Sequence, residues 1–472
     1  MLRRTPSRKT LIRSFILCVS IVAASTILMH RTSLLEAIIA SFNSRPNDNS
    51  LPLIQCANLT DSYNPLARTY RKAVKTFSRY YVKHGAHQNL SISNWTIGKH
   101  LIISSSIVKL KTVNCLEIIK DSQDEIQRVQ NETSRAGMPI CDSMYSTLTA
   151  DCELFKAFRG YITSPLTEEE LLFPLAYSLN VYRDAEMVER LLRAIYRPQN
   201  YYCIHVDGKA SSQFLRAISD IAKCFRNIVI ASRRIDVEWG TFSVLQPDLF
   251  CMEELWKYPR WKYFLTLTGQ EFPLKTNYEL VKILKALKGA NDVLTTVKYA
   301  KRRRWKGTVP PSGVVPAKGS VHITVNRDFV DYILHNDTAK AILEWTQQTD
   351  IPDEAFYATL GANSHLGIRG TYTGEPEKSL GHPFLSRYKN WGSEPCAGRF
   401  VREICILTTG DLPQLFEAKE MFANKFFLQE DRVVVGCLEE KIFNNTRDEF
   451  LGTKRFNTSY YDNLDIVLNQ VT

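Results

Sequence analysis

Four stretches combine residue types that can do chemistry. Asp207 closes the apolar run Tyr201-Tyr202-Cys203-Ile204-His205-Val206, where a carboxylate can meet a ligand or simply form a turn. Gly269-Gln270-Glu271-Phe272-Pro273 follows the apolar run of residues 263–268. Lys301-Arg302-Arg303-Arg304-Trp305-Lys306 is the one dense basic run, able to hold an anion or to form a solvated face. Pro352-Asp353-Glu354 reads as a helix start with two carboxylates in its first turn. Several familiar chemistries are missing. There is no Gly-x-Gly-x-x-Gly after the first strand and no Gly-rich loop ending in Gly-Lys-Ser/Thr. No Gly-x-Ser-x-Gly, His-Glu-x-x-His, Cys-x-x-Cys or Asp-x-Asp occurs either. Hydrolase, metalloprotease and zinc-ribbon readings lose their usual carriers.

The elements that must position these residues follow from hydrophobic pattern. Apolar runs at 173–181, 201–207, 227–231 and 263–268 read as strands. Between them, residues 185–195, 214–225 and 242–256 read as helices. Such alternation predicts an α/β fold with a mostly parallel sheet and ligands at the carboxyl ends of its strands. That rule selects Asp207 and the 269–273 segment.

Composition and the amino terminus set the compartment. The 472 residues are 44% hydrophobic and 23% charged, which excludes wholesale disorder, collagen and coiled coil. The formal net charge is +11, but no nucleic-acid module accompanies it, so no nucleic-acid partner is expected. Arg3, Arg4, Arg8, Lys9 and Arg13 precede an uncharged apolar stretch, residues 14–29. It reads as a membrane anchor with the rest of the chain lumenal, a cleaved signal peptide being the alternative. Asn-x-Ser/Thr acceptors at Asn58, Asn89, Asn94, Asn131, Asn336, Asn444 and Asn457 fit a secretory protein. So does the even cysteine count left once Cys18, inside the apolar stretch, is set aside. The expected organisation is a cytoplasmic tail over 1–13, an anchor over 14–30, a poorly packed lumenal stem over 31–150, a catalytic domain over 151–440 and a tail over 441–472.

The segments from Phe173-Pro174-Leu175-Ala176-Tyr177-Ser178 through Arg193-Ala194-Ile195-Tyr196 carry a resemblance. So do Tyr202-Cys203-Ile204-His205-Val206-Asp207, residues 261–277, Pro352-Asp353-Glu354, the span from Cys396 to Cys405 and Phe422-Ala423-Asn424-Lys425-Phe426. Together they resemble the core 2 β-1,6-N-acetylglucosaminyltransferase family of O-glycan branching enzymes. The resemblance implies a GT-A-like, Rossmann-type domain in a single-pass type II Golgi membrane protein. It implies a UDP-sugar donor, an O-glycan acceptor of the Gal-β-1,3-GalNAc type and no metal or other cofactor; a homodimer is left open. It implies that Glu354 is the catalytic base and that Arg402 and Lys425 hold the diphosphate in place of a metal. Asp207 and Val181 fall at the nucleoside, Trp391 on the acceptor sugar, and Lys301 and Arg304 at acceptor contacts. Taken alone, Trp391 is as readily a core tryptophan. The family register also implies the bridges Cys56–Cys437, Cys152–Cys224, Cys203–Cys251 and Cys396–Cys405, leaving Cys115 with Cys141.

Departures from the family lie around the sugars. Tyr182 stands where relatives carry His, and Ser393 where a Tyr is expected. Val293-Leu294-Thr295-Thr296, with Asp292 nearby, stands where an acceptor-binding carboxylate is expected. Glu271 replaces Asp in the Gly-x-Asp-Phe-Pro segment. They leave transfer of N-acetylglucosamine or glucose open, with protein xylosylation and an inactive glycan-binding protein as further alternatives.

Overall fold

Residues 175–181 carry no charge, and the strand they form, β1 (Leu175–Val181), is buried along nearly its whole length. Such a strand must be covered on both faces, as in a parallel sheet. The computed structural model describes residue 101 and residues 109–110, 112–131, 139–378 and 383–472. The expected anchor, Cys56, Asn58, Asn89 and Asn94 lie outside the described residues. No described helix is long and apolar enough to cross a membrane.

β1 pairs in parallel with β2 (Tyr201–Val206) on one side and β4 (Tyr263–Thr268) on the other, and β2 pairs with β3 (Ile228–Ile230). Helices Ala185–Ile195, Ser212–Lys223 and Gln246–Trp256 make the crossovers. Two later strands, β6 (Asp292–Thr296) and β7 (Lys318–Asn326), extend the sheet antiparallel, giving the order β3-β2-β1-β4-β7-β6. The order reverses between β1 and β4, so a crevice opens at their carboxyl ends. There a second sheet docks: β5 (Glu271–Pro273), β8 (Arg387–Tyr388) and β11 (Phe422–Asn424), with β11 central. A two-stranded hairpin, β9 (Phe400–Val401) and β10 (Ile404–Cys405), precedes β11. The mixed α/β expectation with a mostly parallel sheet holds, and the four expected strands lie within two residues of those observed.

The helix Ala185–Ile195 is buried on every side, polar residues included. Its Arg190 and Arg193 meet Glu439 at 2.8 and 2.6 Å, and Glu189 takes Arg159. Glu439 belongs to the helix Val433–Phe450, which runs across the expected boundary at residue 440 and is tied to the helix Ala185–Ile195 through these pairs. Beyond it Ile466 and Val467 are buried, and the Val471 N–H donates to the Thr371 carbonyl. The expected lumenal stem is also partly core. Ile118 and Tyr145 are fully buried, and Cys115, Ile126 and Val129 pack with Leu412, Val434 and Cys437.

Three expected bridges are present: Cys152–Cys224, Cys203–Cys251 and Cys396–Cys405. Two are corrected. Cys437 bonds Cys115, not Cys56, and Cys141, itself disulfide-bonded, therefore does not take Cys115. Packing explains the exchange, since the short helix Cys115–Ile119 lies against the core that contains Cys437. Among the glycosylation acceptors, Asn131 and Asn457 are exposed. Asn336 caps the helix Asp337–Gln347, and Asn444 lies inside Val433–Phe450 with Thr446 buried.

The Cys115–Cys437 bridge closes a sequence separation of 322 residues. Replacing either cysteine by serine should lower stability by roughly 2–5 kcal/mol, read as a drop in thermal midpoint. Peptide mapping should recover a 115–437 crosslink and no 115–141 crosslink.

Candidate functional site

Glu354 ends a 3-10 turn, Pro352–Glu354, that leads into the buried helix Phe356–Ala362. Ile351, just before it, sits at φ 53, a left-handed value uncommon for a β-branched residue. Such strain costs of order 1–3 kcal/mol and survives only where neighbours enforce it. Here the Ile351 N–H donates to the Gly240 carbonyl at 3.1 Å. The basic run is fixed beside this turn. The Asp350 N–H donates to the Arg304 carbonyl at 2.8 Å, and Trp305 packs near Trp345, whose indole N–H donates to Thr308. As a result the Arg304 guanidinium donates to Glu354 Oε2, and Lys318 Nζ lies 3.8 Å from the same oxygen. Lys301, Arg304, Lys318 and Glu354 line one pocket. The structure therefore brings together Glu354, Arg304 and Lys301, and adds Lys318, which the sequence did not single out.

A second group stands at the crevice between β1 and β4. Arg402 and Glu403 occupy the turn of the β9–β10 hairpin, both with positive φ, the geometry of a two-residue hairpin loop. Cys396–Cys405 closes this segment, and the Leu407 N–H donates to the Lys425 carbonyl at 3.0 Å. Lys425 follows β11, and the Phe426 N–H donates to the Gln270 carbonyl at 2.8 Å, which pins it at the end of β4. Lys425 Nζ donates to the Val401 carbonyl at 3.1 Å. Arg183, two residues past β1, completes the group: its guanidinium and the Lys425 ammonium lie 5.3 and 5.8 Å from the centre of the Phe427 ring. Burial pushes the Lys425 ammonium below its usual range, and the charges of Arg402 and Arg183 push it further. Among the described residues no carboxylate lies within ion-pair distance of Arg183, Arg402 or Lys425. Three cations that repel one another and lack counter-charges among the described residues are an arrangement able to hold an anion. Arg183 was missed because an arginine after a strand carries no distinctive pattern; only the fold brings it to Lys425.

The remaining predicted residues take definite places. Val181 is buried at the end of β1, and its carbonyl accepts the Asp207 N–H at 2.9 Å. Asp207 Oδ1 accepts the Lys209 N–H at 2.8 Å, so the carboxylate does form a turn, and Arg234 binds the surrounding carbonyls. Trp391 is 55% exposed, which removes the core reading, and the Lys389 ammonium lies 5.8 Å from its ring. Trp239, 70% exposed and next to Gly240, is a second open aromatic near the Glu354 turn. Two departures expected to bear on sugar binding are structural instead. Glu271 is sealed in the core against Arg387 at 2.9 Å. Asp292 is buried, accepts from Ser386 and is pushed up to about 6 by burial. Among the described residues no group of three His, Cys, Asp or Glu side chains could hold a metal ion.

The family model described as Core-2/I-Branching enzyme matches residues 175–416. The chain is 36% identical over 364 residues to the human β-1,3-galactosyl-O-glycosyl-glycoprotein β-1,6-N-acetylglucosaminyltransferase, covering 70% of this chain and 85% of that protein. It is 35% identical over 368 residues to the mouse transferase of that name numbered 3, and 35% over 362 residues to one from bovine herpesvirus 4, each covering 70% of this chain and 82% of the relative.

If the three cations act as one anion site, Arg183→Ala should weaken UDP binding by roughly tenfold, as loss of one charged hydrogen bond predicts. Titration calorimetry measures the affinity, and an unchanged thermal midpoint shows that the fold is intact. Unaltered affinity would remove Arg183 from the site.

Proposed function

The chain belongs to the Core-2/I-Branching enzyme family of glycosyltransferases, and from that premise we propose that it transfers N-acetylglucosamine or glucose from a UDP-sugar, in β-1,6 linkage, onto the Gal-β-1,3-GalNAc unit of O-glycans. The proposed reaction inverts the anomeric centre, needs no metal and takes place in the Golgi lumen, with the chain held as a type II membrane protein.

One observation carries the reading: the carboxylate-free cluster of Arg183, Arg402 and Lys425 at the carboxyl edge of the sheet. When the sugar–phosphate bond breaks, negative charge grows on the diphosphate, and fixed cations a few ångströms away stabilise it most in the transition state. Arginine can grip phosphate oxygens two at a time, and lysine adds a point charge. The acceptor's 6-hydroxyl attacks the anomeric carbon directly, and Glu354 takes its proton as the new bond forms. The sugar–phosphate electron pair leaves with UDP, so no covalent sugar–enzyme species is required. Asp207, held by its own turn at the end of β2, faces the nucleoside, and the open ring of Trp391 suits an acceptor sugar face. Uridine contact at Val181 rests on its place at the same strand end. Lys301 and Arg304 border the acceptor side of Glu354.

Glu354→Gln should lower turnover by about 10²–10⁴-fold, the range of a side-chain general base, while UDP affinity changes little. Turnover within tenfold of the parent enzyme would remove Glu354 from the role.

Activity should also survive excess EDTA, because the phosphate charge is met by the chain's own cations. Complete loss in EDTA, restored by manganese, would show that a metal supplies this charge.

A further inference from the structure

The charge around Glu354 does not balance. Arg304 and Lys318 both approach its Oε2, and Lys301 lines the same pocket. Lys301 has no carboxylate partner among the described residues, nor do the neighbouring exposed Arg302 and Arg303. Lys306 and Asp350, 2.8 Å apart, cancel each other. Lys389 lies 5.8 Å from the ring of Trp391. Burial pulls its ammonium down to about 8, with Glu271, Glu354 and Asp353 opposing that shift, so Glu354 lies within its electrostatic reach. Asp353 adds little counter-charge, since burial pushes its carboxyl up to about 7.

Three cations, Arg304, Lys318 and Lys301, thus line the pocket of one carboxylate, the proposed proton acceptor. A neutral sugar would enter this pocket without relieving their repulsion. An acceptor with an acidic group beside the reacting sugar would supply the missing charge and draw Arg304 and Lys318 off Glu354, freeing it to act as base. Lys389 links this pocket to the exposed ring of Trp391, so the same sugar can stack and pair. We propose that the preferred acceptor is an anionic O-glycan, bearing a carboxylate or sulfate that seats against Lys318 and Lys301. This inference rests on the transferase reading above and names the substrate class of the same site.

The test compares Gal-β-1,3-GalNAc aryl glycosides: the neutral disaccharide, one with glucuronic acid on galactose, and one with a 3-sulfate on galactose. Binding is measured calorimetrically with UDP present, alongside transfer from the UDP-sugar. At least one acidic acceptor should bind roughly tenfold or more tightly than the neutral one, as for a charged hydrogen bond. That advantage should shrink between about 0.05 and 0.5 M salt as screening shortens the reach of charge. Lys318→Gln should cut the acidic-to-neutral ratio, and Lys301→Gln, on an exposed side chain, gives the same readout should the first variant not fold. Preference for the glucuronide or the sulfate identifies the group. Affinities within twofold for all three acceptors, or a ratio unmoved by both variants, would overturn the proposal. Acidic preference in binding with no transfer to any acceptor would uphold it and overturn the transferase reading instead.

Discussion

One carboxylate sealed from water holds the two sheets together. Glu271 is fully buried, and it accepts hydrogen bonds from Arg387 at 2.9 Å, Asn424 at 2.9 Å and the Thr268 backbone at 3.1 Å, with His322 Nε2 at 3.4 Å. Stripping water from such an ion costs several kcal/mol unless its lone pairs are met. The groups that meet them come from β8, β11, β4 and β7, so the charge is satisfied only when both sheets are docked. Burial drives His322 well below its usual range, so it serves as a neutral hydrogen-bonding partner and Arg387 carries the counter-charge. Lys425 follows Asn424 directly, and Lys389 lies two residues past Arg387. Both lysines inherit their positions from this one buried pair. Losing either partner would leave an uncompensated buried charge, a cost of about 3–5 kcal/mol.

That arrangement shows what the sequence could and could not disclose. The parallel core was legible because β1 to β4 are long apolar runs separated by helix-length segments. The second sheet was not, since β5, β8 and β11 are only two or three residues each and take their conformation from pairing. Glu271 therefore read as a family departure near the sugars, when its surroundings make it the joint between the sheets. The burial of Asp292 beside Ser386 likewise has no one-dimensional signature. Family register gave three bridges correctly and failed at Cys437, where local packing brings Cys115 within bonding range. The side chains around Glu354 were legible only as separate motifs. Arg304 reaches it because Asp350 and Trp345 fix the basic run from two directions.

Charge pairing separates the structural ions from the functional ones. Helix Ala185–Ile195 buries Glu186, Glu189, Arg190 and Arg193, and each finds an opposite charge on a neighbouring element. Arg183 stands just before that helix with none among the described residues. Arg183 and Lys425 share the Phe427 ring and Arg402 adds its charge to Lys425, so the mutual repulsion of the three costs stability. Strain of this kind persists where a ligand relieves it.

The proposed base and the proposed phosphate clamp also rest on separate supports. Glu354 depends on the strained turn at Ile351 and on the antiparallel edge of the sheet, where Lys318 begins β7. The clamp depends on β1, β11 and a disulfide-closed hairpin. In-line displacement needs both held rigidly, because small misplacement of reacting groups costs rate steeply. It does not need them on one element. With two supports, the acceptor side can change its charge and aromatic lining while the diphosphate side stays fixed. Of the departures from the family, Leu294, Thr295 and Ser393 lie on the proposed acceptor side, whereas Tyr182 stands beside Arg183 and Glu271 is buried between the sheets. On the proposed reading, the surplus cations around Glu354 lie on the acceptor side, and donor cleavage and the choice of acceptor rest on different parts of the fold.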